Sequence, residues 1–124
     1  MMEQLRGAVT ELITQEYTRA AAAHGGASSS PHEGYALIKE ELEESQEQLD
    51  RASQFLGHLW HEVRADELQF MPHYLQEIRE AAILGACELI QTAAMAEKAL
   101  AGLKLTETRN VSKLDTSGGG SYGQ

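Results

Sequence analysis

Four side chains in this sequence have the type and spacing to gather a divalent cation: Glu41, Glu44, Glu88 and Gln91. Glu88 stands in the most apolar stretch of the chain, Ala81 to Ala96, where only Glu88, Gln91 and Thr92 break the apolar run. Read as a helix, that stretch is apolar nearly all round, the signature of a buried helix. An ionised carboxylate there costs on the order of several kcal/mol unless a cation or strong donors meet it. Glu88 and Gln91 are three residues apart and share a helix face, as do Glu41 and Glu44. Three carboxylates meeting at one point repel one another, and a hard cation such as Mg²⁺, which takes oxygen ligands and bridges to phosphate, resolves the repulsion. Gln91 adds a neutral oxygen donor. The bland alternatives are a solvated glutamate face for Glu40 and Glu43, the same surface reading for Glu41 and Glu44 taken alone, and neutralisation of Glu88 by Lys39 or Arg79.

Helices must position these groups. The first is predicted from about Glu3 to Ala23, with Leu5, Val9, Leu12, Ile13 and Tyr17 as its apolar stripe, and it ends at Gly25-Gly26. Ser30-Pro31-His32-Glu33 starts the second, with serine at the N-cap, proline at the first helical position and glutamate placed for a capping box. Its stripe is Tyr35, Ile38, Leu42, Leu49, Ala52, Leu56, Leu59 or Trp60, and Val63, with Ser45 in the gap. Gly57 is a candidate kink. The polar break before Pro72 places a turn at 65–71, because proline is excluded from a helix interior. The third helix is expected from Pro72 to Leu103, and the remainder to 124, poor in apolar residues, as a disordered tail. If the second and third helices form an antiparallel hairpin, the midpoint between the pairs 41/44 and 88/91 falls at residue 66, inside that turn. The acids of the two helices then lie level.

The composition points to one all-α domain over residues 1–103. Two prolines, 6% aromatics and few alternating windows leave little for a sheet. A net charge of −9 disfavours nucleic acid and anionic membrane as partners. One cysteine, Cys87, and no secretory pattern suggest the reducing cytoplasm. His58 and His61 are three apart but lack a third ligand, and no histidine has glutamate three positions earlier, which argues against a ferritin-like di-iron centre. Three helices offer too few neighbours for an all-round apolar helix, so a homodimer or homotetramer is expected.

At these residues the chain resembles the MazG-like nucleotide pyrophosphohydrolases of the all-α NTP pyrophosphatase superfamily. Their pattern is E-E-x-x-E on one helix, here Glu40, Glu41 and Glu44, and E-x-x-D on a later one, here Glu88-Leu-Ile-Gln91 with glutamine for aspartate. The segments His32 to Ala36 and Ile90 to Ala96 are also similar to small phage and bacterial members, and the interval between the two motifs is longer than usual. The resemblance implies a helical bundle built on a long antiparallel hairpin and completed by oligomerisation. It implies Mg²⁺-dependent, or Mn²⁺-dependent, hydrolysis of a nucleoside triphosphate to the monophosphate and pyrophosphate. Glu41, Glu44, Glu88 and Gln91 would hold the metal, and Glu40 and Glu41 would serve catalysis. Lys39 and Lys98 are candidates for phosphate contact and Tyr35 for stacking on a base. The alternatives are a MazG-like module that binds nucleotide or protein without turnover, and a helical oligomerisation protein.

Overall fold

The computed structural model describes residues 1–116, with side chains through Arg109. The fold is all-α: α1 spans Met2–His24, α2 Pro31–Ala65 and α3 Met71–Thr116, with no strand among the described residues. No helix among them is long and apolar enough to cross a membrane.

The expected boundaries follow from local chemistry. α1 stops at Gly25, whose φ of 91° lies where a side chain would be strained. Ser30 caps α2 by accepting from the Glu33 backbone N–H at 3.1 Å. Glu33 does not return the bond to Ser30; its carboxylate accepts from the Ser29 backbone N–H and hydroxyl at 3.3 and 2.6 Å. Asp66 ends α2 in the left-handed conformation, φ 58° and ψ 32°. Glu62 then reaches across the turn to accept from the backbone N–H of Phe70, just before α3. α3 does not stop at Leu103 but continues to Thr116, and residues 117–124 of the expected tail lie outside the described residues.

Contacts between α2 and α3 pair residues in reverse order. Near the turn His58 stacks on Tyr74, with ring centroids 5.5 Å apart. Further along, Arg51 bonds Glu77 at 2.7 Å, Gln48 meets Gly85, and Gly34 meets Ala99. At Gly85 a Cβ would stand 3.4 Å from the Gln48 Cβ, so the missing side chain sets a close approach of the two helices. α1 packs on α3 alone, and Ile13 and Tyr17 line a shallow cavity with Ala93 and Glu97 of α3. The connection from α1 crosses α3 at Gly102, where the Ser28 N–H bonds the Lys98 carbonyl at 3.1 Å.

The expected burial of α3 is not what the single chain shows. Among the described residues Ala81 and Ala94 are its only buried apolar side chains, and Ile83, Leu84 and Leu89 are exposed. The α2 stripe divides as well. Ile38, Ala52 and Leu59 are half-covered and Ser45 is buried, whereas Tyr35, Leu42, Leu49, Leu56 and Val63 are exposed. An apolar period identifies a face, but covering it needs a neighbour, and α1 sits elsewhere.

Helix α2 runs without interruption through Gly57, where an added Cβ would meet nothing within 4 Å. Gly57→Ala is therefore expected to stabilise the chain by about 0.5–1 kcal/mol through backbone entropy. A urea melt showing no gain would mean that the helix is distorted there.

Candidate metal centre

Glu41 and Glu44 leave α2 one turn apart, and Glu88 leaves α3 opposite them. One carboxylate oxygen from each lies within 4.8 Å of the others, and all three residues are half-buried. The local backbone supports this placement. The buried Ser45 folds its hydroxyl onto the Glu41 carbonyl at 3.0 Å, and Thr92 does the same to Glu88 at 2.8 Å. Both hydroxyls are thus satisfied within their own helix, and neither competes for the carboxylates.

The amide end of Gln91 joins the same group. With its nitrogen turned inward it donates to Glu41 Oε2 at 2.8 Å and to Glu88 Oε2 at 3.3 Å. That orientation follows from the hydrogen-bond network, since the neighbouring oxygens are acceptors. Gln91 is therefore at the cluster, as expected, but in the metal-free chain it serves as a donor. The opposite amide orientation would offer its oxygen to a cation.

The charges oppose one another. Glu44 is held above the ordinary glutamate range, first by a hydrogen bond with Glu88 and then by its charge, with Glu40 and Glu47 adding repulsion. Glu88 is also raised, first by burial and then by its hydrogen bond with Glu41. No ion pair among the described residues reaches any of the three carboxylates, because Lys39 bonds Glu43 at 2.6 Å and Arg51 bonds Glu77. The donor set fits a hard divalent cation: oxygen ligands, two or three negative charges and no competing side-chain cation.

The sign of the pH dependence follows from the raised pair. Folding strengthens proton binding at Glu44 and Glu88, so the metal-free protein should gain stability as pH falls toward the ordinary glutamate range. It should lose that stability as pH rises through the raised range. Melts with a chelator at about pH 5.5 and pH 8 test this. The contribution of the pair is the part of the slope that disappears in Glu88→Gln.

The remaining expected site residues are placed less closely. Glu40 is exposed and acts on the cluster only through its charge on Glu44. Its position one residue before Glu41 turns it about 100° away around the helix. Lys39 is exposed and occupied by Glu43. Tyr35 is 68% exposed and lines a separate pocket at the start of α2, with Ser28, Ile38 and Leu103. Lys98 is largely covered and lies two turns, about 10 Å, beyond Gln91 along α3. His58 is taken up by stacking on Tyr74, and among the described residues the three glutamates are the sole metal-competent group. The contribution of Glu47 was not anticipated. It stands one turn beyond Glu44 and repels both Glu44 and Glu88, and three-residue spacing from Glu44 was the signal for it.

No family model, no curated protein and no solved structure matches this chain. The MazG-like resemblance therefore rests on the residues named above.

Proposed function

We propose that this chain is a metal-dependent nucleoside triphosphate pyrophosphohydrolase of MazG-like type, built on the α2–α3 hairpin and completed by association of copies. One observation carries the reading: three carboxylates from two helices converge within 4.8 Å, and among the described residues no cationic side chain pairs with them. A bound Mg²⁺ or Mn²⁺ would supply charge neutralisation on the substrate phosphates. Glu41, Glu44 and Glu88 would hold it. Glu41, fixed by Gln91, is the carboxylate best placed to orient the attacking water and accept its proton. Lys98, seven residues beyond Gln91 on α3, is the candidate cation for a distal phosphate, whereas Lys39 would first have to leave Glu43.

The test is pyrophosphate release over a panel of nucleoside triphosphates with Mg²⁺ or Mn²⁺. Metal-dependent release of pyrophosphate, with the monophosphate as co-product, is expected. Absence of release with every nucleotide and both metals would sink the enzymatic reading.

The placement of Gln91 favours a second reading, a MazG-like module that binds without turnover. Its amide donates to Glu41 and Glu88 and partly offsets their repulsion without any metal. Gln91→Asp separates the two. A fourth carboxylate should lower the melting temperature of the metal-free protein, through added repulsion, and enlarge the stabilisation given by Mg²⁺. An unchanged response to Mg²⁺ would mean that residue 91 has no part in holding a cation.

A further inference from the structure

We infer that the cavity where the α1–α2 connection crosses α3 is a binding site for a small, flat, uncharged aromatic molecule that carries one N–H or O–H group. The cavity holds about 250 Å³. Its walls are the Ser28–Ser30 connection, the start of α2 and the α3 stretch from Ala99 to Thr106. Two glycines shape it. At Gly34 a Cβ would stand 3.1 Å from the Ala99 Cβ and 3.5 Å from the Ser28 Oγ, and at Gly102 it would run into the Ser28 backbone. With no side chain at either position, Ser28 fits between the two helices and lines the space they leave.

One atom in these walls points to a ligand. Ser28 is nine-tenths buried, and its hydroxyl has no hydrogen-bond partner. A buried polar group left unpaired is costly and uncommon. The other wall hydroxyls are engaged. Ser29 donates to the Glu33 carboxylate at 2.6 Å, Ser30 accepts from the Glu33 backbone N–H at 3.1 Å, and Thr106 donates to the Gly102 carbonyl at 3.1 Å. The Ser28 backbone N–H is itself held by the Lys98 carbonyl at 3.1 Å. The residue is thus fixed in place, with only its χ1 rotation left to present the hydroxyl to the cavity.

The walls also set the chemistry of the occupant. Among the described residues no charged side chain lines the cavity, so an ion entering it would lose hydration with nothing to replace it. The Glu33 carboxylate, bonded to Ser29, adds repulsion for an anion. Ile38, Ala99 and Leu103 supply apolar surface, and the exposed ring of Tyr35 supplies a stacking face. An apolar cavity of about 150 Å³ takes up benzene, so this larger one suits a two-ring molecule. A single ring N–H or O–H matches the single unpaired hydroxyl.

This inference goes beyond the proposed enzymatic reading and does not depend on it, since none of Glu41, Glu44 and Glu88 lines the cavity. The test titrates the isotope-labelled full chain with indole, N-methylindole and benzoate, and follows the amide signals of Ser28, Gly34 and Gly102 by NMR. Saturable shifts of these signals are expected with indole. Its affinity should be about fivefold above that of N-methylindole, which lacks the N–H, the worth of one neutral hydrogen bond. Benzoate should give no saturable shift. Ser28→Ala should erase the preference for indole and, with the unpaired hydroxyl gone, raise the melting temperature of the free protein. Glu88→Gln should bind indole as the wild type does, so failure at the carboxylate cluster and failure at this cavity are told apart. Absence of shifts at the three amides overturns the proposal, as does benzoate bound as tightly as indole or an indole preference that survives in Ser28→Ala. A lower melting temperature in Ser28→Ala also overturns it, because the hydroxyl would then be satisfied in the free chain.

Discussion

Glu88→Gln is expected to reduce pyrophosphate release by about a thousandfold or more while making the metal-free protein more stable. The two effects have one cause. Glu88 sits within 4.8 Å of Glu41 and Glu44, so its charge opposes theirs when no cation is present and would join theirs in holding one. Replacing it with a neutral isostere removes the carboxylate that holds Glu44 above the ordinary range, first through its hydrogen bond and then through its charge. The same change removes a ligand, and loss of a metal's charge stabilisation amounts to several kcal/mol of barrier. Melting temperature with a chelator should rise, Mn²⁺ affinity should fall, and turnover should be lost. A variant that turns over normally would remove Glu88 from the site. A variant less stable without metal would show that Glu88 is a structural carboxylate held by donors.

Gly102→Ala should be among the most disruptive small substitutions outside the cluster. A Cβ at residue 102 would stand 2.6 Å from the Ser28 carbonyl oxygen and 3.3 Å from its nitrogen. Both are backbone atoms, so no side-chain rotation relieves the clash. The connection between α1 and α2 must lift away, and the bond from Ser28 N–H to the Lys98 carbonyl goes with it. A cost of about 1–3 kcal/mol is expected from overpacking of this kind, read from a urea titration. The contrast with Gly57→Ala makes the test specific. Both sites are helical glycines, but one faces open space and the other a chain crossing. Equal responses would mean that helix propensity alone governs both.

Much of the local structure was legible from residues alone. Ser30-Pro31 announced the start of α2, because a hydroxyl can satisfy a free N–H and proline needs no donor at that position. The Pro72 region announced the turn. The reverse-order contacts of α2 and α3 about residue 66 bring Glu41 and Glu44 opposite Glu88, where counting outward from that turn had placed them. Such features are set by spacing, and spacing is written in the chain.

Only the tertiary structure decided which neighbour each face meets. The α2 stripe reads as one apolar surface, yet Ser45 is buried while Leu42 and Leu49, a turn to either side of it, stand exposed. Periodicity specifies an angle around a helix, and the packing of α2 against α3 alone determined which part of that angle is covered. The same holds for the site. Sequence brought Gln91 to the cluster, but its role as a donor to Glu41 and Glu88 depends on the distance between two helices, as does the effect of Glu88 that holds Glu44 above the ordinary glutamate range. The crossing of Ser28 over Gly102 joins residues 74 positions apart, and no local pattern encodes it. Residue types thus fixed what chemistry was available, and the packing of three rods fixed which groups stand close enough to perform it.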